Sequence, residues 1–279
     1  CFEDKWILSK LNTVIRDVTD NMDKYELGIA VQKVYDFLWD ELCDWYIEMA
    51  KVRLWKADKN PKAANDALWT LRTALTEGLK LLHPYMPFIT EEIYCTLLPE
   101  EESIMISDWP VFQEAWVFPE AEKAVESFKE AVRGIRNTRT EMNVPMNRKT
   151  HLYIVGKDTD TCTRYEACKK SFVNLAFAKE IHVQENKDGI GEDAVSVVVS
   201  DAVVYMPLED LVDREKEMER LKKEQERLTK EIARCQGMLN NPNFVNKAPE
   251  AKVNAEKEKL QKYEEMMEKV NVQLKQMEK

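Results

Sequence analysis

The sequence predicts a mainly α fold in three parts: an antiparallel helical bundle, a small α/β module and a long antiparallel coiled-coil hairpin. Three observations carry this. Apolar residues recur at spacings of three and four through most of the chain, which marks one face of an α-helix. A central stretch switches to short β-like runs. Residues 208–279 hold two heptad seams joined by one break rich in Pro and Asn. Composition agrees, because charged residues make up 33% and Gly numbers only seven in 279, a balance that favours helix over loop-rich β architecture.

Residues 1–112 read as the bundle. Trp6, Leu8, Leu11, Ile15 and Val18 line one face of a first helix, closed by a turn around TDNMDKYE. Val31, Val34, Leu38, Leu42, Trp45, Met49 and Val52 line a second, longer helix that ends at KADKNPK. Ala67, Leu68, Leu71, Leu75, Leu79 and Leu82 line a third. Pro84 and Pro87 break that helix and start a fourth, FITEEIYCTLL, since proline stops a helix interior but suits a first turn. Short links between long helices predict antiparallel neighbours.

Residues 119–207 read as the module. EAEKAVESFKEAVRGIRNTRTEMN is an amphipathic helix, followed by the strand-like runs THLYIVG, EIHVQ, AVSVVVS and AVVYMPL. RYEACKKSFVNLA is a helical piece between the first two, and the last two are spaced to form a hairpin.

Residues 208–279 read as the coiled-coil arm. Its first seam runs Leu211, Arg214, Met218, Leu221, Gln225, Leu228, Ile232, Cys235, Leu239, and its second Val253, Glu256, Leu260, Tyr263, Met267, Val270, Leu274, Met277. An arm of about 29 residues reaches about 43 Å at the α-helical rise. Arg214 and Gln225 are polar seam residues of the kind that fixes register at some cost in stability. Pro242 and Pro249 in NNPNFVNKAPEAKV are placed to stop one helix and start the next, which puts Phe244 and Val245 at the far end of the arm. Two tasks suit Phe244 there: closing the end of the seam, or offering a face to a partner.

Several function classes drop out. There is neither a signal-peptide pattern nor an apolar run long enough to span a bilayer. The six cysteines include no C-x-x-C pair, so zinc binding is not indicated and scattered thiols in a reducing cytosol are expected. The three histidines, His83, His151 and His182, lack metal-ligand spacing, and GIGE lacks the rest of a phosphate-loop fingerprint. Nothing composes a nucleophile with an oriented base. The expectation is a binding chain that is not itself an enzyme, with no metal or cofactor. Because it enters an amphipathic helix directly from Cys1, it is expected to be part of a longer protein.

The net charge of −10 argues against a uniformly nucleic-acid-coating surface, but its distribution is uneven. Residues 1–110 hold 12 basic and 20 acidic side chains, whereas 51–62 hold five basic, one acidic and Trp55. That stretch suits phosphate contact or simply a helix C-terminus favoured by cations. In the arm, residues 221–262 hold ten basic and six acidic side chains, and the remainder six basic and ten acidic. The distal half is therefore +4 and the base −4.

DKWILSKLN at 4–12, YDFLWDELCDWYIEMAK at 35–51 and LLHPYMPFITEEIY at 81–94 together resemble the helical anticodon-binding domain of class I aminoacyl-tRNA synthetases for branched aliphatic amino acids. IRNTRTEMNVP at 135–145 and the hairpin with NPNFVNKAPEAKV resemble the bacterial valyl branch of that family. The resemblance covers essentially the whole chain. It implies that tRNA-Val is held at the anticodon stem-loop by the bundle and at the elbow, where D- and T-loops meet, by the arm. It also implies that catalytic and editing domains lie upstream with ATP and Mg, because the HIGH and KMSKS strings are missing here. A first bundle helix with an Asn-Ala-Ser-Arg-like run is expected upstream too. A cytoplasmic monomer follows from the same resemblance.

On that resemblance, Trp45, Tyr46, Lys51 and Arg53 are candidates for the anticodon stem, with the core as the alternative place for Trp45 and Tyr46. Arg136 and Arg139 are candidates in the linking module, with an intramolecular ion pair as the alternative. Arg227, Lys230, Arg234, Asn243, Phe244, Lys247 and Lys252 are candidates for the elbow. The rival reading is a structural coiled-coil module for protein association, motivated by the heptad seam and the overall acidity.

Overall fold

A computed structural model describes residues 1–55, 58–211, 214–240 and 250–277. Contacts group the chain into two compact units, Cys1–Pro207 and Leu208–Lys279.

In the first unit, α1 spans Phe2–Asp23 and buries Trp6, Ile7, Leu11, Ile15 and Val18. Tyr25 then turns the chain in the left-handed region at φ 61°, unusual for a bulky side chain. Its N–H donates to the Met22 carbonyl at 2.9 Å, and the Glu26 N–H to the Asn21 carbonyl at 2.8 Å. The next helical run has α-helical ends, α2 (Leu27–Asp36) and α3 (Ile47–Leu54), around a π-helical stretch, Phe37–Tyr46. The wider π turn resets which side faces inward. Phe37, Leu42, Trp45, Tyr46 and Met49 are buried, whereas Val31, Leu38 and Val52, expected on that face, are only half-buried.

Helix α4 (Pro61–Leu82) starts on Asn60, whose side chain accepts from the Ala63 N–H at 3.2 Å, with Pro61 in the first turn. Here the expected face is corrected. Ala67 and Leu79 are buried as expected, but Ala64, Thr70 and Ala74 join them, whereas Leu68 is 51% exposed and Leu71, Leu75 and Leu82 are half-buried. Small residues point inward where the helices approach closely, and Gly78 sits against Leu38 and Phe37. Helix α5 (Pro87–Leu97) packs Tyr94 against Leu79, Leu98 and Ile104. Two short 3-10 turns, Ile104–Ile106 and Glu114–Trp116, lead to α6 (Pro119–Glu141).

Helix α6 joins bundle and module into one core. Phe128 meets Trp45 edge-on on one side, at 6.1 Å between ring centres, and Phe172 on the other at 4.6 Å. The Lys129 ammonium is buried over the rings of Trp6 and Trp45 and bonds Glu41 at 2.7 Å. The sheet has the order β2-β1-β4-β3. Strands β1 (Thr150–Gly156) and β2 (Ala178–Gln184) are parallel and joined by α7 (Thr159–Leu175). Strands β3 (Val195–Val198) and β4 (Ala202–Met206) form the expected hairpin, with β4 antiparallel to β1. Leu152, Ile154, Ile181, Val197 and Val204 form the buried face.

In the second unit, a single turn α8 (Leu208–Leu211) precedes α9 (Arg214–Leu239) and α10 (Glu250–Met277), about 39 and 42 Å long by helical rise. Leu228, Cys235, Val253, Glu256 and Val270 are buried along the seam, and Leu228 and Val270 cluster with Tyr263, Met266 and Met267. Pro242, Val245 and Pro249 lie outside the described residues, as do the side chains of Arg214, Met218, Leu221, Leu274 and Met277.

Candidate nucleic-acid interface

The four bundle candidates fall into two environments. Trp45 and Tyr46 are interior, the latter fully buried with its hydroxyl donating to Asp4 Oδ1 at 2.8 Å. Arg53 also turns inward. Its guanidinium grips Asp4 with both terminal nitrogens, at 2.7 and 2.5 Å, and lies 3.5 Å from Glu3. Burial pushes the Asp4 carboxyl up, but the bonds from Arg53 and Tyr46 outweigh it and leave its pKa below the ordinary value. Glu3 is raised, because burial dominates there. All three candidates are thus withdrawn from the surface: Tyr46 and Arg53 tie the second helical run to Asp4 of α1, and Trp45 packs against Phe128 of α6. The reason is the helix period: π-helical widening carries Trp45 and Tyr46 inward together.

Lys51 stays at the surface, paired with Glu48. Burial holds the pKa of the Arg136 guanidinium of α6 below arginine's ordinary value, with the charge of Glu48 opposing that shift. Trp55, four residues after Lys51, is 74% exposed. Lys56 and Ala57 lie outside the described residues.

Arg136 and Arg139 both reach backbone carbonyls. Arg136 Nε donates to the Leu175 carbonyl at 2.9 Å, so it caps the C-terminal end of α7. Arg139 is 4% exposed. Its Nη2 donates to the carbonyls of Pro145 at 3.1 Å and Arg148 at 2.6 Å, and its guanidinium lies 5.3 Å over the Phe177 ring. Burial, and Arg148 beside it, hold its pKa below arginine's ordinary value. Arg139 therefore holds a loop from inside, while Arg136 keeps an exposed surface. Sequence reading passed over the charge of this region. Residues 133–157 carry six basic side chains and only Glu141 as an acid, a local +5 in a chain of −10. A window count would have found it.

In the arm, Arg227, Lys230 and Arg234 recur at helical spacing and are exposed on α9. Arg227 bonds Glu224 at 2.9 and 2.6 Å, and Arg234 bonds Glu231 at 3.0 Å and stands 3.4 Å from Glu256. The pairs with Glu224 and Glu231 are open to solvent and worth little in water, so a phosphate can replace those carboxylates. Glu256 is 5% exposed in the seam. The Cys235 thiol beside it, with Lys259 and Arg234, holds its carboxyl below the usual range. Lys252 lies in α10 with its side chain outside the described set, and Asn243, Phe244 and Lys247 lie outside the described residues altogether.

The histidines do not converge. His83 Nδ1 is 2.7 Å from Thr90 Oγ1, and His182 stacks on Tyr153 with ring centres 4.9 Å apart. Among the described residues, no three His, Cys, Asp or Glu side chains gather as a metal site, and no helix is long and apolar enough to cross a membrane.

Comparison with known proteins bears on both units. Residues 4–154 match the family of the anticodon-binding domain of tRNA ligase, and residues 213–278 match the valyl tRNA synthetase tRNA binding arm. The chain is 48% identical over 274 residues to the valine–tRNA ligase of Clostridium perfringens and 51% identical over 267 residues to that of Clostridium tetani, in each case across 96% of this chain and 30% of the relative. It is 38% identical over 274 residues to the valine–tRNA ligase of Staphylococcus carnosus, across 98% of this chain and 31% of the relative. It thus spans about a third of the length of the curated relatives it matches.

Proposed function

Because the chain belongs to the family of tRNA-ligase anticodon-binding domains and ends in a valyl-type tRNA-binding arm, we propose that it holds tRNA-Val for valylation by a valine–tRNA ligase. The bundle takes the anticodon stem-loop, and the arm takes the elbow. The observation that carries this is charge segregation along the arm, with the distal half +4 and the base −4. Exposed Arg227, Lys230 and Arg234 share one helix face in that distal half. Such a surface draws RNA phosphate toward the end of the arm and repels it from the base. Shape and phosphate contact carry recognition there, with base stacking as the added element. Phe244 is the proposed stacking residue, joined by Asn243, Lys247 and Lys252.

ATP-dependent attachment of valine belongs to an upstream catalytic domain, which supplies the ATP and Mg chemistry. No step of that reaction is assigned to these residues. We place the protein in the cytoplasm as a monomer, because the seam is satisfied within one hairpin. The Leu228–Val270 cluster and the Gln225–Asn271 bond need no second chain.

The test is titration of this chain with tRNA-Val transcript at rising KCl. The expected result is binding that weakens steeply with salt, and more weakly still after Arg227, Lys230 and Arg234 are changed to Gln. Salt-independent binding, or no effect of the triple change, contradicts the assignment of the arm.

A further inference from the structure

We infer that the segment Asn143–Lys149, between α6 and β1, is a preformed RNA-backbone-binding loop, and that Arg139 is the residue that positions it. The inference rests on the tRNA-binding reading above and adds a contact surface within the α/β module.

The loop is neither helix nor strand, yet its backbone is fixed at several points. Asn143 is in the left-handed region at φ 54° and its N–H donates to the Thr140 carbonyl at 3.0 Å. The Val144 N–H donates to the Arg139 carbonyl at 2.8 Å, and the Arg148 N–H to the Pro145 carbonyl at 3.1 Å. Pro145 adds its own fixed φ. From beneath, one nitrogen of Arg139 holds the carbonyls of Pro145 and Arg148 together. Nη1 is buried without a hydrogen-bond partner among the described residues, and the Phe177 ring supplies the remaining attraction for the cation. Phe177 is itself at φ 56°, and the Thr150 N–H donates to its carbonyl at 3.1 Å. A buried charge is thus used to fix a surface loop.

What the loop then shows to solvent is specific. Pro145, Met146, Asn147 and Lys149 are exposed, with Met146 at 77%. Arg136, about two turns back along α6 from Asn143, is exposed as well. From Met142 to Lys157 there is no acidic side chain. Cations on a rigid loop meet phosphate with little ordering cost. A protein partner of opposite charge is the competing occupant, and the test separates it.

The experiment uses the whole chain with tRNA-Val transcript. Each lost phosphate contact lowers the slope of log affinity against log salt by about 0.7–0.9. Lys149→Gln is therefore expected to reduce that slope by about 0.7–0.9 and weaken binding about fourfold at physiological salt. Lys149 is exposed, so the fold is undisturbed. Arg139→Lys keeps the charge but loses the planar fork. It is expected to open residues 142–149 to proteolysis and to abolish the effect of adding Lys149→Gln. If wild-type chain binds tRNA and Lys149→Gln changes neither affinity nor slope, the loop is not an RNA contact and the arm reading stands. If Lys149→Gln acts equally in the Arg139→Lys background, Arg139 does not position the loop. If the wild-type chain fails to bind tRNA, the loop assignment and the reading it rests on fall together.

Discussion

Gln225 Nε2 donates to Asn271 Oδ1 at 2.7 Å across the two helices of the arm, joining residues 46 apart in sequence. The bond sits one turn from the apolar Leu228–Val270 cluster. A polar pair across such a seam favours one register, because a slip leaves both amides unpaired.

Changing Asn271→Leu alone is expected to destabilise the arm by about 1 kcal/mol, since Gln225 loses its partner. Changing both residues to Leu is expected to recover that loss while loosening register. Urea denaturation reads the first effect. Cysteine pairs placed on α9 and α10, and their pattern of disulfide exchange, read the second.

The Asp4–Arg53 pair predicts a pH dependence of the bundle. The Asp4 pKa in the folded chain lies below its unfolded value. Its contribution is present in full above the unfolded carboxylate pKa and is lost as pH falls through the folded one. Glu3 is raised and works in the opposite sense, so part of the loss is offset. Arg53→Met leaves Asp4 buried without its cation and is expected to cost about 3 kcal/mol at neutral pH. It should also flatten the acid limb of a stability-against-pH curve. A full-size acid limb in the variant would show that another carboxylate carries it.

Gly134 marks where α6 lies against the sheet. A Cβ there would stand 2.5 Å from Val197 Cγ1, and a β-branched side chain in a strand has few rotamers to escape into. Gly134→Ala is expected to destabilise the first unit by about 1–2 kcal/mol, overpacking outweighing the gain in helix propensity. Thermal unfolding followed by tryptophan fluorescence checks this. An increase in Tm would mean the helix moves outward at no cost.

Much of this was legible in the sequence, for identifiable reasons. The seam residues Leu228, Cys235, Val253 and Val270 are buried as their period predicts, because two helices in a hairpin leave each face one possible environment. The strands were legible as runs of β-branched residues between turns. The second helix was harder. Periodicity assumes 3.6 residues per turn, and the π-helical stretch Phe37–Tyr46 shifts the inward face beyond what a spacing rule can follow. Leu68 against Ala64 and Ala74 shows the same limit, since hydrophobicity ranks leucine as core while close helix approach selects alanine. Arg53 and Arg139 look alike in sequence to any surface cation. Only the positions of Asp4, Pro145 and Arg148 reveal that both are turned inward.

The contribution of the arm can be isolated by charge. Arg227→Gln, Lys230→Gln and Arg234→Gln together are expected to lower the salt slope of tRNA binding by about 2–3. The helix content should stay unchanged, because the three side chains replaced are themselves exposed. Circular dichroism checks the fold, and filter binding at several KCl concentrations checks the slope. An unchanged slope would place the phosphate contacts elsewhere.

The most direct measurement of the central claim is the nuclease and hydroxyl-radical footprint of this chain on tRNA-Val. The proposed function predicts protection at two separate places, the elbow and the anticodon stem-loop, with the elbow protection lost in the Arg227, Lys230 and Arg234 triple variant. Protection confined to the acceptor end, or none at concentrations where the chain is folded, would contradict it.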